Sequence, residues 1–291
     1  MSGRAASSTA VLVCQGRAAA DGRYAVGLFS DPMARGLLDP AEQAVVDRVR
    51  AGRGPTSGRE RAAHEMVRHT SWGMVPRTVA IDAAIREHAA TQVVVLGAGL
   101  DTRAWRMPEL AGATVFEVDH TASQRDKRRR LGGLVPVAGR VAAVAVDLAQ
   151  QPLGPALGAA GFEPRLPTTW VWEGVVPYLT PAQVRATLGQ VAQLSAPGSR
   201  LVVNYQAKSL AVTVLRAAVR LALRLERQAD PMAGEPWRSL WRPEEMRDLL
   251  SRSAFQTTSD ESLFILAEGL GLPQEADRSL RNGRVAVAVR R

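Results

Sequence analysis

Short uninterrupted apolar segments recur through the middle of the chain, and each leads into glycine, acidic or polar residues. Such segments are typical of strands that are buried on both faces of a parallel sheet. Five of them predict strands, at residues 93–96, 114–118, 141–146, 169–172 and 201–203.

Helix-like stretches separate the predicted strands. Residues 181–194 begin with proline directly after Thr180, which is a suitable N-cap residue. Residues 121–124 have the Thr-x-x-Gln spacing of a capping box and predict the start of another helix. Strands that alternate with helices predict βαβ units, and therefore a Rossmann-like, doubly wound, mostly parallel sheet.

The two ends of the chain follow different patterns from the middle. The first ninety residues predict helices broken by loops, and the segment after the fifth strand again has apolar residues at helical spacing. Two further strands are predicted near the C-terminus, at residues 255–258 and 284–289. We therefore expect an α/β fold with a seven-stranded sheet. Its parts are an N-terminal helical cap segment at residues 1–90, a binding core at residues 91–205, a helical lid at residues 206–250, and strands that complete the sheet at residues 251–291.

The composition is that of an ordinary soluble globular protein. Of the 291 residues, 46% are hydrophobic and 22% are charged. No segment has the ~18 uncharged apolar residues that a membrane-spanning helix requires, and the polar N-terminus lacks the apolar core of a signal peptide. The single cysteine, Cys14, predicts no internal disulfide and no thiol-based metal site. These features favour a cytoplasmic protein with no membrane partner and no bound metal.

The net charge of +9 raises the question of a nucleic-acid partner. Nearly all of the positive charge is arginine that is scattered along the whole chain. One dense run, at residues 125–130, is interpreted as the solvated face of a helix, although a phosphate-bearing acceptor or a nucleic acid would also suit it. Because no nucleic-acid-binding motif accompanies the run, we expect no nucleic-acid partner.

Polar residues follow the predicted strands at the edge where open α/β sheets bind their ligands. Gly97-Ala98-Gly99 follows the first strand, and the two glycines allow a sharp turn and a close approach of the backbone to a ligand. Asp119 ends the second strand, 22 positions after Gly97 (119 minus 97). This spacing suits a carboxylate that binds ribose hydroxyls, and the alternative role is to cap the next helix.

Both NAD and S-adenosylmethionine use a glycine turn and a ribose-binding acid, so other residues must discriminate between them. Thr102 stands where the dinucleotide fingerprint has its third glycine. Asp147 and Leu148, after the third strand, offer an acceptor for the adenine amino group and an apolar edge for its ring. Glu173, after the fourth strand, adds acidic charge that suits a sulfonium ligand better than a pyrophosphate. The pattern favours S-adenosylmethionine and methyl transfer over a nicotinamide-dependent oxidoreductase.

These segments resemble the leucine carboxyl methyltransferase-like family of class I S-adenosylmethionine-dependent enzymes. The bacterial branch of that family includes many secondary-metabolite O-methyltransferases. The resemblance extends over about residues 20–205, and its most specific part is the string Gly-Ala-Gly-Leu-Asp-Thr with its ordered partners. The matching segments are residues 29–32, 76–82, 94–103, 116–119, 146–148, 173–179 and 203–205.

The resemblance implies that several residues hold the cofactor. Arg77 would pair with the methionine carboxylate, for which the planar fork of arginine is apt, and the alternative is a surface charge. The turn at Gly97 and Gly99 would lie close along the ligand, and Asp119 would bind the ribose. Glu173 would face the methionine amino group or the ribose side of the pocket.

Further residues are implied at the two ends of the site. Asp147 and Leu148 would bind the adenine. The family also carries a basic residue in its N-terminal segment that helps to hold the cofactor, and Arg23 is the nearest match here, offset by a couple of residues. Tyr178 would lie beside the transferred methyl group and orient the acceptor.

The acceptor oxygen is specified less directly. A carboxylate is ionised at neutral pH and needs no base, whereas a phenol or alcohol would benefit from one. No histidine follows the fourth or fifth predicted strand, and the candidates for a base are His64 and His69 in the N-terminal segment. We expect O-methylation of a carboxylate on a small-molecule, secondary-metabolite acceptor. The alternatives are a hydroxyl or phenol acceptor, and a protein that binds S-adenosylmethionine without methyl transfer.

Overall fold

A seven-stranded sheet organises the part of the chain that the computed structural model describes, which comprises residues 7–54, 58–208, 237–272 and 280–291. Its strands are β1 Gln92–Leu96, β2 Thr114–Asp119, β3 Arg140–Ala145, β4 Thr168–Trp172, β5 Arg200–Gln206, β6 Phe255–Ser262 and β7 Gly283–Arg290. They lie in the order β3-β2-β1-β4-β5-β7-β6. The first five are parallel, and β7 is antiparallel to both of its neighbours. The predicted doubly wound, mostly parallel α/β fold is confirmed.

The nine α-helices among the described residues follow the predicted alternation. They are α1 Ser8–Ala20, α2 Pro40–Arg50, α3 Gly58–His88, α4 Arg103–Arg106, α5 Thr121–Leu131, α6 Leu153–Ala159, α7 Pro181–Gln193, α8 Pro243–Arg252 and α9 Leu263–Gly269. Thr180 caps α7 as predicted, and its side chain accepts a hydrogen bond from the Gln183 amide. The predicted capping box at residues 121–124 is wrong. His120 is the N-cap residue of α5, so Thr121 already lies inside the first turn.

Both faces of the sheet are covered by helices. One face packs against α6, α7 and α8 through leucine, valine and methionine side chains around Trp170 and Trp172. The other face packs against α3, α4 and α9 around Val95 and Val171. β1 and β4 are therefore buried at every residue. The expectation that β3 is buried on both faces is wrong, because β3 is an edge strand in which exposed and buried residues alternate.

The long helix α3 connects the N-terminal helices to the sheet, and the predicted N-terminal helical segment is confirmed. Close packing of α1 on α3 depends on Gly16, where a Cβ atom would approach Thr70 Cγ2 to 2.7 Å. At its end, His88 Nδ1 lies 2.7 Å from the hydroxyl of Thr169, at the start of β4. About three turns earlier, Arg77 contacts the residue that follows β4. The helix therefore runs antiparallel to β4 and extends past the carboxyl edge of the sheet.

The arginine-rich run at residues 125–130 is only partly solvated. The Lys127 side chain is buried and its Nζ lies 2.6 Å from Glu117 Oε1 on β2. The side chain of Arg130 is only 6% exposed and forms ion pairs with Glu42 on α2 and with Asp126. Interpreting the run as a solvated helix face is therefore wrong for these two residues, because acidic side chains of neighbouring elements face them.

The predicted lid lies mainly outside the described residues, which omit 209–236. Of its remainder, Trp241 forms a bridge with Ala207 just after β5, and α8 follows. Among the residues that the structure describes, no helix combines the length and the apolar character needed to cross a lipid bilayer.

Candidate active site

The glycine turn after β1 lies at the carboxyl edge of the sheet. Gly97 and Gly99 have φ angles of +69° and +46°, in the left-handed region that side chains disfavour. A Cβ atom on Gly97 would approach Val175 Cγ2 to 2.3 Å, so glycine is required there by packing as well. The Gly97 amide donates to the Val118 carbonyl, which anchors the turn against the end of β2.

Asp119, at the end of β2, faces this turn. Its Oδ2 accepts a hydrogen bond from the Gly99 amide at 2.6 Å, and its Oδ1 accepts one from the His120 amide at 2.6 Å. The alternative role as the N-cap of α5 is not observed, because the N-cap residue is His120. The carboxylate is thus held beside the backbone that a ligand would pass.

Eight charged side chains form one buried network behind the turn. Arg103 pairs with Asp82 at 2.7 Å, with Glu173 at 2.8 Å and with Asp101. Arg106 extends the network from Asp82 at 2.7 Å toward Asp31 at 3.8 Å. No side chain of the network is more than 11% exposed. Its four arginines and four carboxylates are Arg17, Arg77, Arg103, Arg106, Asp31, Asp82, Asp101 and Glu173.

Glu173 joins two arginines at the end of β4. Its Oε1 lies 2.7 Å from Arg77 Nε, and its Oε2 lies 2.8 Å from Arg103 Nη1. Burial raises the pKa of Glu173, but the guanidinium groups of Arg77, Arg103 and Arg17 outweigh burial and hold this pKa well below its usual value. Glu173 is therefore ionised over the whole physiological range.

The pKa of Arg77 is shifted in the opposite direction from that of Arg103, the other arginine that contacts Glu173. Burial lowers the pKa of Arg77, and Glu173 offsets this effect only in part. For Arg103 burial also acts to lower the pKa, but Asp101, Glu173 and Asp82 outweigh it, and the pKa is raised. Among the described residues, Arg77 pairs with one carboxylate, Glu173, whereas Arg103 pairs with three.

The N-terminal arginine that reaches this network is Arg17, which the sequence pattern does not predict as a site residue. Arg17 Nε lies 2.6 Å from Asp31 Oδ2, and Arg17 Nη2 donates to the Leu100 carbonyl of the glycine turn. Arg23, the residue expected from the sequence, donates instead to the Val49 carbonyl of α2, and its guanidinium lies over the Tyr24 ring. A single arginine amid the alanines of α1 was the signal that could have identified Arg17.

Asp147 and Leu148 follow β3 at the same edge of the sheet. Asp147 Oδ1 accepts from the Ala149 amide, and its Oδ2 accepts from the Gln150 side chain. Leu148 is partly buried against the apolar cluster on the α6 and α7 face. The acid thus stabilises the loop in which both residues lie.

Tyr178 ends a short 3-10 turn, Val176–Tyr178, five residues after Glu173. Residues that precede α8 hold this turn in place. The amides of Arg238 and Ser239 donate to the Pro177 carbonyl, and the Ser239 hydroxyl donates to the Val176 carbonyl at 2.9 Å. Ser239 is itself buried and accepts a hydrogen bond from the indole of Trp241.

All four histidines of the sequence lie in the described part of the chain. His88 contacts Thr169 at the opposite edge of the sheet from Glu173. His69 is largely exposed and lies 3.7 Å from Glu65, whereas His120 is exposed after β2. His64 is buried on α3, about 20 Å along the helix from Arg77. Among the described contacts, none joins a histidine to the Val176–Tyr178 turn.

Comparison with known families agrees with this arrangement. The family model described as leucine carboxyl methyltransferase matches residues 10–192, which is more than half of the chain. The chain belongs to the leucine carboxyl methyltransferase family. The matched range includes most of α1, the glycine turn, all eight residues of the ion network and Tyr178.

Relatives of this family member carry a consistent description. A protein of Mycobacterium marinum is 35% identical over 82% of this chain and 77% of its own length. A protein of Mycolicibacterium gilvum is 36% identical over 70% of this chain and 68% of its own length. A protein of Mycolicibacterium paratuberculosis is 31% identical over 95% of this chain and 94% of its own length. All three are provisionally named S-adenosyl-L-methionine-dependent methyltransferases. The present protein is an S-adenosylmethionine-dependent methyltransferase.

Solved structures show the same fold as this methyltransferase. A provisionally named methyltransferase from Thermobifida fusca has a TM-score of 0.56 and 17% identity, and the match covers 99% of this chain and 96% of that one. A DUF574 family protein from Streptomyces avermitilis also has a TM-score of 0.56, with 15% identity and 98% of both chains covered.

The side chains around Glu173 fit the amino-acid end of the family's cofactor, S-adenosylmethionine. Arg77 Nε and Glu173 Oε1 are both buried and lie 2.7 Å apart as an ion pair, but this contact is not aligned as a hydrogen bond, and neither atom has another hydrogen-bond partner among the described residues. A carboxylate would provide an acceptor for the first atom, and an ammonium group would provide a donor for the second. The zwitterionic methionine moiety carries both groups.

Proposed function

We propose that this methyltransferase transfers the methyl group to a carboxylate oxygen of a small-molecule acceptor, as expected for the secondary-metabolite branch of the family. The observation that carries the proposal is that, among the described residues, no hydrogen bond or ion pair joins a histidine to the Tyr178 turn. The pKa values of the nearby Glu173 and Asp101 are lowered despite their burial, by Arg103 and other cations, so both are weak bases. An acceptor that is already ionised suits such a site.

For the cofactor we propose roles that follow the contacts of each side chain. Arg77 binds the methionine carboxylate, since it pairs with only one carboxylate among the described residues, and Glu173 binds the methionine amino group. Gly97 and Gly99 allow the backbone to approach, and Asp119 turns from the Gly99 amide toward the ribose hydroxyls.

Two further roles complete this proposed site. Asp147 and Leu148 bind the adenine from the β3 loop. Arg17 replaces Arg23 as the N-terminal basic residue, because Arg17 contacts the glycine turn directly and contributes to the low pKa of Glu173.

The reaction requires alignment more than acid–base chemistry. When bound, S-adenosylmethionine supplies a methyl carbon that its positively charged sulfur activates. An acceptor carboxylate oxygen forms the new O–C bond as the C–S bond breaks, and no proton is transferred. The protein holds the acceptor in line and excludes water. We assign the orientation of the acceptor to Tyr178, which is fixed through the backbone of its turn by Ser239.

The test pairs aromatic carboxylic acids with phenols of the same ring system and uses S-adenosylmethionine labelled in its methyl group. A methyl ester releases labelled methanol in mild alkali, whereas a methyl ether does not, so the product identifies the oxygen that is methylated. We expect alkali-labile product, and a rate that is flat from about pH 6 upward because a free carboxylate has a pKa near ~4. An alkali-stable product, formed at a rate that rises between pH 6 and pH 8, would instead establish a phenol acceptor. If the cofactor binds but no methylated product forms, the protein binds S-adenosylmethionine without transferring its methyl group.

A further inference from the structure

Asn204 is a buried polar residue near the end of the central strand β5. Its neighbours on the strand, Val203 and Tyr205, are also buried. A buried amide is costly unless its polar atoms are hydrogen-bonded, and both ends of this one are. Asn204 Nδ2 donates to the Arg284 carbonyl at 2.9 Å, and Asn204 Oδ1 accepts from the Gly174 amide at 3.3 Å. The chemistry of the two partners fixes the orientation of the amide group.

The bond to Gly174 acts on the residue before it. The Gly174 amide belongs to the peptide that links Gly174 to Glu173, so Asn204 restrains the plane of that peptide. Gly174 has a φ of +69°, and a Cβ atom there would lie 3.9 Å from Arg77 Nη1. The turn that follows β4 therefore lies close to the guanidinium of Arg77, which Glu173 also contacts.

The other partner of Asn204 is rigidly held. Arg284, at the start of β7, donates through Nε to Asp260 Oδ1 on β6 at 2.9 Å. The Tyr205 hydroxyl donates to the second carboxylate oxygen of Asp260 at 2.8 Å. This contact network joins β5, β6 and β7 at the edge where Asn204 reaches across to the turn after β4.

We propose that Asn204 is a positioning residue for the amino-acid end of the cofactor, and that it acts by orienting the Glu173–Gly174 peptide. The side chain of Glu173 is thereby presented between Arg77 and Arg103 before the ligand arrives. This inference rests on the proposed role of Glu173 at the methionine amino group. It also gives the C-terminal strands a part in cofactor binding.

The test compares two ligands that differ only at the amino-acid end. S-adenosylhomocysteine has this end, whereas 5′-methylthioadenosine retains the adenosine and the sulfur but lacks it. In Asn204→Ala we expect the Kd of S-adenosylhomocysteine to rise about tenfold, the size of effect that one hydrogen bond typically has, while the Kd of 5′-methylthioadenosine changes little. Calorimetry with the full chain measures both.

Ser195→Ala is the matched control. It removes one buried hydrogen bond, from the Ser195 hydroxyl to the Val191 carbonyl, without touching Gly174, Arg284 or Asp260. We expect it to lower the thermal midpoint about as much as Asn204→Ala does and to leave both Kd values unchanged. If Asn204→Ala does not fold, Asn204→Ser serves instead, because one short hydroxyl is unable to bridge both partners.

The outcomes separate this inference from the proposal on which it rests. If Glu173→Gln weakens S-adenosylhomocysteine binding but Asn204→Ala does not, the positioning role is wrong and the cofactor site stands. Equal losses for both ligands in Asn204→Ala would show a merely structural role. If Glu173→Gln itself leaves the affinity unchanged, the proposed role of Glu173 fails first.

Discussion

Replacing Asp82 with asparagine should reveal how far the buried ion network supports both the fold and the site. Asp82 lies on α3 and is 4% exposed. One carboxylate oxygen accepts from Arg103 Nε and the other from Arg106 Nη1, each at 2.7 Å. Asparagine keeps the shape but removes one of four negative charges, so four arginines would face three carboxylates. Its amide nitrogen would also oppose a guanidinium donor.

The expected loss follows from what remains in the variant. Removing one partner of a buried ion pair typically costs about 3–5 kcal/mol. Arg103 would keep Glu173 and Asp101, and Arg106 would keep the Thr102 hydroxyl, so we expect the lower end of that range, about 3 kcal/mol. For a chain of this size such a loss lowers the thermal midpoint by roughly 5 °C.

Differential scanning calorimetry measures the change, and Asp47→Asn is the matched control. Asp47 pairs with Arg35 through a similar carboxylate–guanidinium contact at 2.7 Å, but both side chains are about half exposed. Exposed pairs contribute little, so the control should leave the midpoint nearly unchanged. The affinity for S-adenosylhomocysteine should also fall in Asp82→Asn, because Arg103 orients Glu173. A midpoint no lower than that of the control, or a lower midpoint with unchanged affinity, would refute the reasoning.

Five other substitutions test the remaining assignments. Arg17→Gln should weaken S-adenosylhomocysteine binding several-fold in calorimetry, because Arg17 contacts the glycine turn, whereas Arg23→Gln should not; the reverse result would restore the residue expected from the sequence. Ser239→Ala should lower kcat with little change in cofactor affinity, since its hydroxyl holds the Tyr178 turn; a weaker affinity with normal kcat would contradict this. His64→Ala and His69→Ala should each retain near-normal rates in the labelled-methyl assay, and a loss of ~10²–10⁴-fold would identify a general base.

The parts of the fold that the sequence predicts are those that depend on local pattern. Buried parallel strands have continuous apolar runs, so β1 and β4 are evident without knowledge of their neighbours. The run at β3 has the same appearance, but its place at the sheet edge depends on strand order. Strand order is a property of the whole fold, and therefore a run of this kind does not distinguish an edge strand from a central one.

The partners of buried charges are harder to predict, because they are distant in sequence. Arg17 contacts Asp31 and the carbonyl of Leu100, which lies 83 residues away. Lys127 resembles the rest of its charged run, yet it is the residue that reaches Glu117 on β2. Which arginine or lysine of a rich set is buried depends on packing between elements, and neither composition nor helical spacing contains that information.

The composition of the network itself argues for a functional origin. Buried ion pairs do not in general stabilise a protein more than apolar side chains of similar volume, because desolvation offsets the attraction between the charges. Here the eight side chains come from α1, α3 and α4, the loop after α1, the β1 turn and the end of β4, and a set of leucines and methionines could fill the same volume. Such a core would not place the Arg77 guanidinium 2.7 Å from the Glu173 carboxylate. The roles proposed above for these two residues would explain why one cation and one anion are held side by side, in fixed positions, as a zwitterionic ligand requires.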